Sequence, residues 1–139
     1  MIIKDNSQVD LFAEHILQNT PGLVPIDVRD YNNIKNSSRI LNAVCIKLPI
    51  NILNDFNTFI GAINTFNNNK ANRLLLQICT VGNNIVEHGI TMDEMAEILR
   101  GIVEHFGDID IVWGLSSRDD PERCGYDINV IVGYDLPTV

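Results

Sequence analysis

Two stretches, RILNAVCIK (Arg39 to Lys47) and RLLLQICTV (Arg73 to Val81), are apolar at nearly every position rather than at every second one. A strand with one face in water alternates, whereas a strand apolar on both faces has to be buried on both. Any fold for this chain must therefore set both runs inside a sheet and cover that sheet. Two amphipathic segments supply cover. Pro49 and Asn51 open a helix whose apolar positions, Ile52, Phe56, Phe59, Ile60, Ile63 and Phe66, recur at helical spacing until the run NNNK ends it. The second begins at a capping box, Thr91 with Glu94, and carries Met95, Ile98, Leu99, Ile102, Val103 and Phe106 on one face before stopping at Gly107.

The remaining elements follow the same rules. A first helix over Val9 to Gln18 has Ser7 as its cap and Val9, Phe12, Ala13 and Ile16 as its apolar stripe. A short polar helix spans Val28 to Lys35. Two closing runs, IDIVWGLSS and YDINVIVGY, are joined by RDDPERCG, which reads as the loop of a β-hairpin. Helices interleaved with strands give an α/β (α+β) fold. We expect a two-layer sandwich: a mixed four-stranded sheet, two main helices side by side on one face, and a closing antiparallel hairpin. The strands are apolar on both sides, so the second sheet face also wants cover, which favours self-association or a partner.

At 139 residues the chain is one domain's worth. No apolar run is long enough to span a bilayer. MIIKDNSQ has no basic start followed by an apolar core, so the expected address is cytoplasmic. A formal charge of −8 disfavours nucleic acid and anionic lipid as partners. Cys45, Cys79 and Cys124 lie in no paired ligand motif and read as reduced thiols, the first two in the core. His15, His88 and His105 belong to no metal-binding pattern and read as surface or helix-end residues. Asp119, Asp120 and Glu122 lack calcium-loop spacing and read as a solvated loop. Trp113 reads as packed, or as an anchor for a partner.

The stretch PGLVPIDVRD, Pro21 to Asp30, sets Asp27 and Asp30 three residues apart at the start of the polar helix. Such spacing projects two carboxylates to one side, where they can address one water or one cation. Asp27 equally suits a helix N-cap, with Asp30 in the first turn favoured by the helix dipole. The two readings are compatible.

GLVPIDVRD resembles the synergy loop, G-L-I-N-x-D-x-A-D, of the FtsZ branch of the tubulin superfamily. LLLQICTVGNN falls where that family has a V-x-I-T-G-G strand and turn, and TMDEMAEILRGIVEHFGDIDIVWGLS resembles the helix and strand that follow. INVIVGY is similar to the closing V-x-V-I-A-T-G-F. The strings come in the family's order from about Val9 to Asp135. The resemblance implies an FtsZ-like C-terminal domain over residues 21–139, behind a helix within residues 1–20 that stands for the end of the family's central helix. It also implies that Asp27 and Asp30 enter a neighbouring subunit's nucleotide pocket and orient water against the γ-phosphate. The Asn of the family pattern is Pro25 here, which removes an amide and implies capping without efficient hydrolysis.

No glycine-rich phosphate loop is present, so we expect no cofactor and no GTP binding by the chain alone. GTP and Mg²⁺ would enter only with a partner subunit. The expected function is a non-catalytic interaction module in polymer assembly or cell division, docking on an FtsZ/tubulin-like GTPase or on itself. Two alternatives stand beside it: the rear part of a complete FtsZ-like GTPase, and a small-ligand enzyme of chorismate-mutase-like topology. The last would need an anionic pocket built from Arg29, Arg39, Arg73, Arg100, Arg118 or Arg123, which no motif assembles.

Overall fold

A computed structural model describes residues 2–17, 24–49, 55–82 and 90–135. Its elements run α1 (Asn6–Leu17), α2 (Val28–Asn36), β1 (Ile40–Pro49), α3 (Phe56–Asn64), β2 (Ala71–Gly82), α4 (Met92–Phe106), β3 (Asp110–Asp119) and β4 (Gly125–Tyr134). The strands form one mixed sheet in the order β1-β4-β2-β3. β4 is antiparallel to both of its neighbours, and β2 is parallel to β3. A parallel pair needs a crossover, which α4 provides.

The expected closing hairpin does not form. β3 lies at the sheet edge, and the chain crosses β2 to place β4 between β1 and β2. The reason is burial: every residue of β4 is buried, a demand that only an interior position meets, whereas β3 keeps exposed residues at both ends. Residues 120–124 have to bridge two strand spacings, about 10 Å, which five residues do easily.

The sheet is also covered on both faces, so there are three layers rather than two. On one face α3 and α4 pack through Phe59, Ile63, Ile98, Ile102 and Phe106 against Val44, Leu76, Ile128 and Val130, as the two main helices were expected to do. On the other, Val9, Ala13 and Ile16 of α1 and Tyr31 and Ile34 of α2 close over Leu41, Ala43, Leu75 and Ile131. The polar helix supplies two buried anchors in nine residues, and this is the cover that the apolar strands called for.

Helix boundaries follow their caps. α1 begins before Val9 because the Asp5 carboxylate, not Ser7, accepts from the backbone of Ser7 and Gln8 at 2.8 and 3.3 Å. The Thr91/Glu94 capping box forms, and α4 ends at Gly107, whose φ of +77° favours glycine. Pro49 closes β1 instead of opening a helix, and α3 begins at Phe56. Gln18, residues 21–23 of the loop, and Asn51 and Ile52 of the expected helix start lie outside the described residues.

Both sheet edges are guarded by single antiparallel bridges, Ile3 to Ala43 on β1 and Val24 to Leu115 on β3. Asn6 extends the first, its side chain donating to Arg39 O and accepting from Leu41 N. At the second, a Cβ on Gly114 would come within 2.5 Å of the Val24 carbonyl oxygen and collide with Ile26, so glycine lets the chain leading into α2 lie against β3. α1 and α2 are tied by Asp10, which accepts from Tyr31 Oη and from Lys35 Nζ at 3.0 Å. The Tyr31 contact, then Lys35, holds the Asp10 carboxyl below its usual range; burial, then Asp10, pushes the Tyr31 hydroxyl up.

Gly114→Ala should cost about 1–3 kcal/mol by urea unfolding, and amide exchange at Val24 and Leu115 should quicken. Unchanged exchange would mean that the loop does not lean on β3. Tyr31→Phe should cost about 0.5–1.5 kcal/mol at neutral pH. Because the folded pKa of Asp10 is depressed, its contribution is complete above the unfolded value of about 3.9 and is lost as pH falls through the folded one. The penalty of Tyr31→Phe should therefore shrink in acid, as paired urea titrations would show.

Candidate functional site

Val28 starts α2 because Asp27 caps it. The Asp27 Oδ1 accepts from Arg29 N at 2.8 Å and from Asp30 N at 3.3 Å, and Asp30 Oδ2 accepts from Asp27 N at 2.9 Å. The two sequence-selected carboxylates are thus brought together as a capping box with an acidic N3 residue. Arg29 Nη2 adds a contact at 3.3 Å to Asp27 Oδ2. These donors, the Arg29 backbone first, hold the Asp27 carboxyl below its ordinary range and make it a weak proton acceptor. Pro25 and Ile26 lie between the Val24 bridge and this cap, so the β3 edge sets where Asp27 stands.

Asp27 also lines a groove of about 570 Å³ between α1 and α2, with Asp10, Glu14, Leu17, Ile26, Val28, Tyr31, Asn32 and Lys35. Carboxylates and apolar side chains dominate its wall.

A second concavity, of about 280 Å³, lies on the same sheet face beyond the apolar patch under α1 and α2. Its floor is two polar rungs that cross the sheet. Cys45, Asn129, Gln77 and Gly114 are register partners in one, and Lys47, Asp127, Cys79 and Ser116 in the next. Gln77 Nε2 donates to Ile16 O at 2.8 Å, satisfying a carbonyl in the last turn of α1, and Asn129 Nδ2 donates to Gln77 Oε1 at 3.1 Å. Asp127 accepts from Arg118 Nη2 at 3.1 Å and pairs with Arg123 Nη1 at 2.6 Å; Arg123 also donates to Tyr126 O. Burial pushes the Cys45 and Cys79 thiols up, so both are protonated at neutral pH and unsuited to nucleophilic work. Ser116 Oγ is buried and, among the described residues, has no partner beyond the neighbouring Cys79 thiol.

These residues did not stand out in the sequence, where Cys45 and Cys79 read as core. The signal was a polar residue at every second position toward one end of each strand: Cys45 and Lys47, Gln77 and Cys79, Asp127 and Asn129, Ser116 and Arg118. Arg118 and Arg123 do converge, on Asp127, and Arg118 and Asp127 both line the second cavity.

Among the other candidates, His105 sits in the last turn of α4 and its Nε2 lies 2.7 Å from Phe66 O, joining the ends of the two main helices. His15 is exposed at the mouth of the second cavity, and His88 is outside the described residues. Asp120 lies 4.0 Å from Arg118. Trp113, on edge strand β3, is 37% exposed. Among the described residues no cluster of His, Cys, Asp or Glu is arranged to hold a metal, and no helix is long and apolar enough to cross a membrane.

Asp127→Ala should cost about 1–3 kcal/mol by chemical denaturation, because Arg118 and Arg123 lose their common acceptor. Asp127→Asn, which keeps the shape, should recover part of the loss; equal stability of all three proteins would show that the cluster holds nothing.

No family model and no curated protein matches the chain. Among solved structures it is similar to thiamine monophosphate kinase from Aquifex aeolicus, with 10% identity and a TM-score of 0.38 over 91% of this chain and 42% of that one. It is similar also to a chain of a HypE-HypF complex, with 12% identity and a TM-score of 0.37 over 95% of this chain and 43% of the other. The chain thus spans less than half the length of either, and neither is FtsZ or tubulin. At such identity the likeness carries no activity, ligand or partner over to this chain.

Proposed function

We propose that this chain is a non-catalytic protein-interaction module, FtsZ-like in its C-terminal-domain order, which docks on a tubulin-like GTPase or on a second copy through the segment that ends in Asp27 and Asp30. The order of elements after this segment, α, β, α, β, α, β, β, is the order that the resemblance implies. The observation that carries the reading is the capping box itself. Both carboxylates are engaged with backbone N–H groups on an exposed helix start, so they fix the shape of a surface loop more than they offer a base for chemistry. In this reading GTP and Mg²⁺ belong to the partner, and the module works in the cytoplasm with it. The same geometry serves the alternative in which the chain is the rear part of a complete GTPase.

A small-ligand reading is favoured by one separate observation, the second cavity itself, whose polar floor of Gln77, Asp127 and Asn129 is held in place by bonds within the protein.

The module reading is tested with the cognate polymer. Substoichiometric chain should shorten filaments in light scattering and alter GTP turnover. Asp27→Ala and Asp30→Ala should weaken this effect while lowering stability by about 0.5–2 kcal/mol, which is measured separately. Polymer length and turnover indifferent to folded wild type and to both variants would remove the proposed surface.

A further inference from the structure

We infer that the second cavity binds a small organic carboxylate, with the acid group at Lys47 and Arg118 and an apolar body against α1. This deepens the small-ligand reading and rests on it. The amide floor has one orientation only. Ile16 O is a peptide carbonyl and can only accept, so Gln77 must turn its nitrogen toward it, and the Gln77 oxygen is left to accept from Asn129 Nδ2. Each of the two amide nitrogens carries a second hydrogen, and neither second hydrogen meets an acceptor among the described residues. Gln77 and Asn129 are 4% and 5% exposed, so these donors belong to a built floor rather than to a solvated surface.

Charge points the same way. Lys47 and Arg118 line the cavity with a single carboxylate, Asp127. Asp127 is already spanned, since its Oδ2 accepts from Arg118 and its Oδ1 is buried beside Arg123 Nη1. Arg118 commits only Nη2 of its donor fork to Asp127, and Asp120, at 4.0 Å, is beyond hydrogen-bond range. Among the described residues no carboxylate pairs with Lys47. Within a chain of formal charge −8 the lining therefore carries surplus donors and surplus positive charge, against which it sets the amide oxygen Asn129 Oδ1. A group that only accepts and is anionic and planar meets that surplus, which describes a carboxylate. The rest of the wall, Phe12, Ile16 and the protonated Cys45 and Cys79 thiols, suits an apolar body. The volume of about 280 Å³ is about nine times water's share of the liquid, so an acid of about nine non-hydrogen atoms fills it.

The test is calorimetric titration of the folded chain with cyclohexanecarboxylate, with the uncharged cyclohexanecarboxamide, and with inorganic phosphate. The acid should bind at least about tenfold more tightly than the carboxamide, and phosphate should not saturate. Lys47→Met keeps the apolar stem at an exposed position and so keeps the fold; it should weaken the acid about tenfold and leave the carboxamide unchanged. Lys70→Met makes the same change in net charge just before β2, at the end of the sheet away from the cavity, and should stay within about twofold. The side-chain amide resonances of Gln77 and Asn129 should move with the acid. Equal affinity for acid and carboxamide, equal loss in the two lysine variants, or unmoved amide resonances would overturn the carboxylate assignment while a small-ligand site elsewhere or of another class stood. Phosphate binding as tight as that of the acid would overturn the apolar half of the assignment. Absence of saturable binding by all three would remove the small-ligand reading of this cavity with it.

Discussion

β4 has no side that faces water. Its ten residues are buried, it bonds to β1 on one edge and to β2 on the other, and its even-numbered side chains enter one core while Ile131 enters the other and Asp127 and Asn129 floor the cavity beside it. A strand so placed requires a helix layer on each face and a neighbour at each edge. α3 and α4 meet the first need on one side, α1 and α2 on the other. At about 25 cal/mol per Å² of apolar surface, burial on both faces outweighs what a two-stranded hairpin at the sheet edge would gain. The chain therefore crosses β2 rather than turning back beside β3. The crossing coincides with the charged cluster: Arg118 at the end of β3 and Arg123 in the loop both reach Asp127 in β4, so the ion pairs clamp the loop at the point where it jumps a strand.

The edges explain how Asp27 is positioned. β1 and β3 each present unpaired backbone, and each is met by one bridge from the N-terminal region, at Ile3 and at Val24. The second bridge lies only three residues before Asp27. The helix cap is therefore referenced to the sheet, and Gly114 is what permits the close approach. Geometry of this kind gives a surface loop a fixed shape without a large local core.

The elements themselves were legible because their signals are local. The Thr91/Glu94 capping box, the stripe of α4, the runs of β1 and β2, and Asp27 as a cap all depend on residues within a few positions of one another. What the sequence did not disclose is long-range. RDDPERCG suits a hairpin loop and a strand-skipping loop equally; the choice is made by burial of β4 against β1, whose register partners are about 75 to 95 residues apart in the chain. The polar rungs were hidden for the same reason. Asp127 and Cys79 look like interruptions of separate apolar strands until the register sets them side by side. The layer count was missed because α2 is polar overall, and its two anchors, Tyr31 and Ile34, are too few to mark a covering helix.

The groove and the cavity share a wall. Asp10, Glu14 and Leu17 of α1 face the groove, while Phe12, His15 and Ile16 line the cavity. A body seated in one therefore presses on the same helix as a ligand in the other, and the two binding free energies are coupled to the extent that α1 moves. Polar contacts near both ends of α1 resist that movement, among them those of Asn6 with Arg39 O and Leu41 N. At one end Asp10 holds α1 to Tyr31 and Lys35 of α2. Toward the other, Gln77 holds the carbonyl of Ile16 to the sheet floor, with Asn129 behind it. The apolar contact of Ala13 lies between and allows sliding, because dispersion has little directional preference. Hydrogen bonds do have direction, so these two ends, rather than the packed middle, set how far α1 can shift.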